Sequence, residues 1–270
     1  MRYVIIIIAL FLLAAPVFAQ NSNIDIQRAT TEVLRHGILQ HDLDYESVIF
    51  DDFFTMDTSM NRFVKEFAKR WSVRRDSAAN STFTCPDSAF GMWYLYTMNG
   101  DNELNSIQYC GNPIKIRVGE PVECTWRVKL DTVKQADLMI GLADTTVAPL
   151  DSLFDTHVTD GIFWAKKDAD TVWFAVTCST SAAYRDSIRT SLAVYAYSDS
   201  DSYQEDGFHD FKVTYDGART VRFYRDNRLY ATQTESVPIN RSLTPIFAIR
   251  NGAAFRFKLW FDYVLVTQRR

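Results

Sequence analysis

The sequence predicts an all-β fold: a two-sheet antiparallel sandwich of the jelly-roll type, preceded by a short leader. Three observations predict it. Segment after segment alternates apolar and polar residues with period two, as half-buried strands do. Turn dipeptides separate these segments: Asn99-Gly100, Asp160-Gly161, Asp216-Gly217 and Asn251-Gly252. No helical pattern of about ten or more residues interrupts them after Phe50.

The chain opens on Met1-Arg2, an unbroken apolar run from Val4 to Ala15, and Val17-Phe18-Ala19. A positive start, an apolar core and small residues at the end make residues 1–19 an export signal cut after Ala19. The run is shorter than the roughly 20 residues of a membrane span. With the signal removed no span is expected, and the destination is periplasm, cell surface or medium. Residues 20–47 read as a leader or docking segment: apolar spacing through Thr30–Leu39 suits one short helix, which Gly37 interrupts. Residues 48–270 then form one jelly-roll domain, because no Pro/Ser/Gly-rich linker divides them. A formal charge of −4, with Lys and Arg scattered, excludes nucleic acid as a partner, which wants a concentrated basic face. Aromatic residues make up 14%, enough for a sizeable core and against disorder.

Each strand follows from its pattern. Cys124 to Leu130 alternates and sets Cys124, Trp126, Val128 and Leu130 on one face. Asp137 to Ala143 is mostly apolar, the mark of a strand covered on both sides. Thr171 to Cys178 sets Val172, Phe174, Val176 and Cys178 against Trp173 and Ala175, with the first set expected in the core. Ser191 to Tyr197 opposes Leu192, Val194 and Ala196 to Tyr195 and Tyr197. Residues 207–233 predict three strands, broken at Asp216-Gly217 and Asp226-Asn227. The last strand places Phe255, Phe257, Leu259, Phe261, Tyr263 and Leu265 on one face, and Arg256, Lys258, Trp260 and Asp262 on the other.

Four cysteines, Cys85, Cys110, Cys124 and Cys178, allow two disulfides in an exported chain, in three connectivities. Cys124 and Cys178 fall at apolar strand positions, so buried thiols are the equal alternative. None forms Cys-x-x-Cys with a histidine nearby, which argues against zinc.

The tail from Asp206 to Val266 resembles the closing part of concanavalin A-like lectin/glucanase, or laminin G-like, jelly rolls. Its hairpin at Asp216-Gly217 and its closing Asp262-Tyr263-Val264-Leu265-Val266 carry the likeness, with Phe50-Asp51-Asp52-Phe53 at the opening strand. Within that superfamily, residues 112–268 are similar to jelly-roll virion structural proteins of bacteriophages and prophages, through the order of KIRVGEPVECTWRVKL, TDGIFWAKK and LTPIFAIRNG. The resemblance implies a structural or surface protein, on a virion if phage-encoded, whose partners are a glycan or other virion and cell-surface proteins; oligomerisation stays open. It implies no required cofactor, and a structural calcium ion held by Asp262 with oxygens near Asp52.

Glycosidases of the superfamily carry E-x-D-x-E on one strand, where alternation aims the carboxylates into one cleft as nucleophile and general acid. None of the eight glutamates here has an aspartate two residues later. That disfavours hydrolysis, with an exported polysaccharide hydrolase or lyase using atypical carboxylates as the alternative. There is no Gly-x-Ser-x-Gly elbow and no phosphate-binding Gly loop. Sugar rings stack on aromatic side chains, and Trp164, Trp173, Tyr195 and Tyr197 are candidates for a concave binding face. The competing reading is that these are ordinary packing aromatics.

Overall fold

The computed structural model describes residues 45–51, 71–75, 82–87, 92–97, 104–111, 113–130, 136–144, 158–168, 170, 172–179, 186–193, 208–252 and 257–269. Sixteen strands and no helix occur among them. They form two antiparallel sheets. Sheet A runs β14 (Arg228–Gln233), β13 (Val221–Arg225), β12 (His209–Tyr215), β7 (Val122–Leu130), β16 (Phe257–Arg269), β4 (Met92–Thr97) and β3 (Thr82–Asp87), with β1 (Tyr45–Asp51) also paired to β16. Sheet B runs β11 (Asp186–Ala193), β10 (Val172–Cys178), β9 (Gly161–Lys166), β8 (Ala136–Ala143), β15 (Ser242–Asn251), β5 (Leu104–Tyr109) and β2 (Trp71–Arg75), with β6 (Ile114–Lys115) on β15. Asp44–Arg270 form one compact unit. Strand β1 begins at Tyr45, three residues ahead of the expected domain start, while the export signal and most of the leader lie outside the described residues.

The core lies between the sheets and follows the alternation. Cys124, Trp126 and Val128 of β7, Phe211, Val213 and Tyr215 of β12, and Val221 and Phe223 of β13 point inward from sheet A. Leu138, Ile140 and Leu142 of β8, Ile162 and Trp164 of β9, Trp173 and Ala175 of β10, and Phe247 and Ile249 of β15 meet them from sheet B. Trp164 is edge-on to Trp173, Phe211, Phe223 and Tyr230 at 5.6–6.4 Å between ring centres. Such contacts add about 0.5–1.5 kcal/mol each beyond the area they bury.

The hairpin of β13 and β14 shows turn chemistry acting as predicted. Asp226 and Asn227 both adopt left-handed backbone, φ 49° and 64°, which a two-residue turn between right-twisting strands requires. At the preceding turn one Asp216 carboxylate oxygen accepts the N–H groups of Ala218, Arg219 and Thr220 at 2.9–3.1 Å.

Two face assignments are corrected. In β10 the core face is Trp173, Ala175 and Thr177, whereas Val176 and Cys178 point to the other side. Sheet B is buried on both faces, so hydrophobicity on either side of β10 could not tell which faced the partner sheet. In β16 a bulge between Phe261 and Tyr263 shifts the register against β7. Phe261 stays inside, but Val264, Val266 and Gln268 follow it there, while Tyr263 and Leu265 turn outward and remain partly exposed.

Candidate functional site

Alternation that buries Trp126 and Phe211 sends their neighbours to the outer face of sheet A. Pairing of β12 with β7, and of β7 with β16, then sets these outward residues in rows across the strands. Asp210 pairs with Arg127 and Arg127 with Tyr263; one step along, Tyr224, Lys212, Thr125 and Leu265 form the next row. The bulge in β16 brings Asp262 beside Tyr263 at the end of the first row.

That row is polar, ringed and half-exposed. Arg127 Nε stands 3.1 Å from Asp262 Oδ2, with 42% and 37% of the two side chains exposed. The Tyr263 hydroxyl donates to Asp210 Oδ1 at 3.4 Å. Burial pushes the Tyr263 hydroxyl above its ordinary pKa, the Asp210 charge adds to this, and Arg127 opposes it. The row is anchored at its other end by the β13–β14 turn: Asp226 accepts the Asp210 backbone N–H at 3.0 Å and meets His209 Nδ1 at 2.7 Å. In the neighbouring row Lys212 Nζ lies 3.8 Å from Glu123 and 5.3 Å from the Tyr224 ring centre. The arrangement offers carboxylate acceptors, guanidinium and ammonium donors and phenol rings side by side, which is the chemistry that holds polyhydroxylated ligands.

The outer face of sheet B differs. Leu104, Met139, Phe163, Ala165, Val176, Cys178, Ile246 and Ala248 form a second buried apolar cluster there. Its carboxylate Asp137 is engaged by Arg250 at 2.5–2.6 Å and by the Asp168 backbone N–H at 2.6 Å. Beside it, on the core side of β9, Lys166 is fully buried and donates to the Ala136 carbonyl at 2.9 Å. Burial lowers its pKa to about 8 against the pull of Asp168, Asp137 and Asp170. At the opposite end of β8, Asp144 accepts the Thr159 hydroxyl at 2.6 Å and its N–H bonds the Asp160 carbonyl at 2.9 Å. Burial, and to a lesser degree the Asp160 charge, raise the Asp144 pKa against its hydrogen bonds.

The aromatic platform expected from sequence is corrected at two of its four members. Trp164 is 0% and Trp173 1% exposed, both clasped between the sheets, so neither offers a ring face to a ligand. Tyr195 and Tyr197 lie outside the described residues. Asp262 faces Arg127, and Asp52, its expected calcium co-ligand, lies outside the described residues. Among the described residues no group of three or more His, Cys, Asp or Glu side chains converges to hold a metal ion. Cys110 is exposed and Cys124 buried, each as a thiol. Cys178 is buried with Sγ 3.8 Å from the Val158 carbonyl, and the Cys85 side chain is outside the described set.

No protein-family model matches this chain. No curated protein matches it either. Solved structures do. An endo-1,3-beta-glucanase from Streptomyces sioyaensis is similar at TM-score 0.56 and 14% identity, covering 84% of this chain and 97% of that one. A glycoside hydrolase family 16 endo-glucanase from Bacteroides ovatus is similar at TM-score 0.53 and 14% identity, over 81% and 99% of the two chains. The metal-free carbohydrate recognition domain of Emp46p is similar at TM-score 0.51 and 11% identity, over 80% and 94%. A potassium-bound form of that domain also matches. The fold is that of the concanavalin A-like lectins and glucanases. At these identities the likeness concerns the fold alone. The residues of the sheet A row, Arg127, Asp210 and Tyr263, escaped the sequence reading because the bulge that turns Tyr263 outward has no signature in residue type. The polar positions beside Trp126 and Phe211 were the available signal.

Proposed function

We propose that this chain is an exported, non-enzymatic jelly-roll domain that contacts carbohydrate, displayed at a cell surface or on a virion-type particle. The observation that carries this reading is the half-exposed row Asp210–Arg127–Tyr263 with Asp262, which combines one partly exposed phenol with hydroxyl-binding groups. Support comes from the fold, which is shared with a carbohydrate recognition domain and with glucanases. No described strand carries two carboxylates at alternate positions, the arrangement that two-carboxylate hydrolysis would draw from a single strand.

Retention on insoluble polysaccharides, measured beside reducing-sugar release, tests the reading. Retention without release supports it; release that Asp→Asn substitution abolishes overturns it. Mass spectrometry of purified particles against culture medium tells virion display from secretion.

One observation favours a hydrolytic alternative. Asp144 has a carboxyl raised toward the protonated form near Asp160, as a general acid needs. Loss of polysaccharide cleavage in Asp144→Asn would establish that alternative, and absence of cleavage in the unaltered chain would dismiss it.

A further inference from the structure

We infer that the ligand is an uncharged polysaccharide lying across the strands of sheet A, about one sugar per strand, over β12, β7 and β16. The inference rests on the carbohydrate reading above and fixes the face, direction and charge class.

Direction follows from register. Asp210, Arg127 and Tyr263 occupy paired positions on three successive strands. Neighbouring strands stand about 4.8 Å apart, close to the advance of one pyranose ring in an extended chain. A glycan crossing the strands therefore follows backbone positions one strand apart and meets acceptor, donor and ring gathered over β7, where the Tyr263 hydroxyl reaches across Arg127 to Asp210, whereas one running along β7 would meet alternate outward positions about 7 Å apart.

Charge class follows from compensation. Arg127 faces Asp262, and Lys212 faces Glu123. Asp210 is neighboured by the Tyr263 hydroxyl. An acidic polymer would have to displace a carboxylate at Arg127 and at Lys212, and it would meet the Asp210 charge between them. Hydroxyl groups, which both donate and accept, fit between such pairs without an unpaired charge. The Tyr263–Asp210 bond is long at 3.4 Å, and Arg127 Nε, though 3.1 Å from Asp262, makes no aligned hydrogen bond. Fixed side chains reduce the ordering cost of binding. Arg127 is braced by Asp262, and Lys212 lies between Glu123 and the Tyr224 ring.

The test is titration of the mature chain with laminarin, mixed-linkage β-glucan and galactomannan, and with alginate as the acidic probe. We expect at least one neutral polymer to bind better than alginate, with affinity rising from disaccharide to trisaccharide of the bound polymer and then levelling. Arg127→Ala and Tyr263→Ala should each weaken binding about tenfold or more, which corresponds to roughly 1.4 kcal/mol. Arg228→Ala, at the edge strand β14 of the same sheet, should leave binding unchanged. Should Tyr263→Ala fail to fold, hydrogen-exchange protection of β7 and β16 peptides by the polymer replaces it. A neutral glycan bound equally by the unaltered chain and Arg127→Ala removes the site while the carbohydrate reading stands. Preference for alginate overturns the charge class. No binding to any of the four overturns both inferences.

Discussion

The indole N–H of Trp164 donates to the main-chain carbonyl of Lys212, 3.4 Å away, and so joins the two sheets through their common core. Trp164 is wholly buried on β9, and Lys212 on β12 holds its own side chain on the outer face of the opposite sheet. Trp164→Ala should cost about 3–5 kcal/mol in denaturant unfolding, by the loss of aromatic volume and the cavity left behind. Glycan affinity of the folded fraction should change little, because the ring touches no exposed surface. A selective loss of binding with unaltered stability would contradict this placement.

Lys166 makes the pH dependence of stability unusual on the alkaline side. Its folded pKa is about 8, against 10.5 ordinarily, because burial disfavours its charge. Between those values the unfolded chain holds a proton that the folded chain has released, so this group makes stability rise with pH across that window. Below about 8 both states are protonated and the buried charge weighs fully on the fold. Lys166→Met should abolish the rise, worth at most on the order of 3 kcal/mol. The difference between variant and parent, measured by urea unfolding from pH 7 to 10.5, isolates the contribution of Lys166.

Asp216 acts at the other end of the scale. Burial would raise its pKa, but hydrogen bonds from Thr220, Ala218 and Arg219 outweigh this and hold the carboxyl at about 2. Its contribution is complete above the ordinary value of 3.8 and disappears as pH falls through about 2. Asp216→Ala should loosen the turn between β12 and β13 by about 1–2 kcal/mol at neutral pH. Its cost relative to the parent should vanish near pH 2. A cost that persists there would mean that the turn depends on something other than the carboxylate.

Gly141 permits the close approach of β8 and β9. A Cβ at this position would stand 2.5 Å from the Ile162 carbonyl oxygen and 2.7 Å from the Phe163 Cα, both main-chain atoms that cannot turn aside. Gly141→Ala should destabilise by roughly 1–3 kcal/mol or more through overpacking. The fall in melting temperature should exceed that of Gly119→Ala, where left-handed backbone adds strain but nothing lies within 4 Å. Equal effects at the two glycines would count against the tight strand contact.

In sheet A, β7, β12, β13, β14 and β16 were legible because the outer face of the sheet is wet, whereas β3 and β4 were not read. Alternation in Cys124–Val128 and Phe211–Tyr215 separates core from solvent without ambiguity, and Asp226-Asn227 marks its hairpin by backbone demand alone. In sheet B, β8 and β10 were legible as strands but not as faces, and β11 starts at Asp186, five residues ahead of the expected Ser191. All eight residues of β8 are buried, and on β10 both sides are apolar, so Trp173 was assigned outward although it packs against Phe211 at 4.9 Å. The candidate row stayed hidden for a different reason. Tyr263 shares parity with Phe261 in an unbroken strand, and only the bulge between them separates their destinations. A bulge depends on pairing between distant segments, which residue type at one position does not encode.

Strand β16 lies at the middle of sheet A, bonded along one edge to β7 and along the other to both β4 and β1. Its partners are synthesised long before it, so during translation they wait with open hydrogen-bonding edges until residues 257–269 are delivered. A ribosome stalled upstream of Phe257 should therefore hold a chain that proteases cut readily and chaperones retain. Shortening that interval, by circular permutation that places β16 ahead of β1, should reduce the protease sensitivity of stalled nascent chains without altering the finished sandwich.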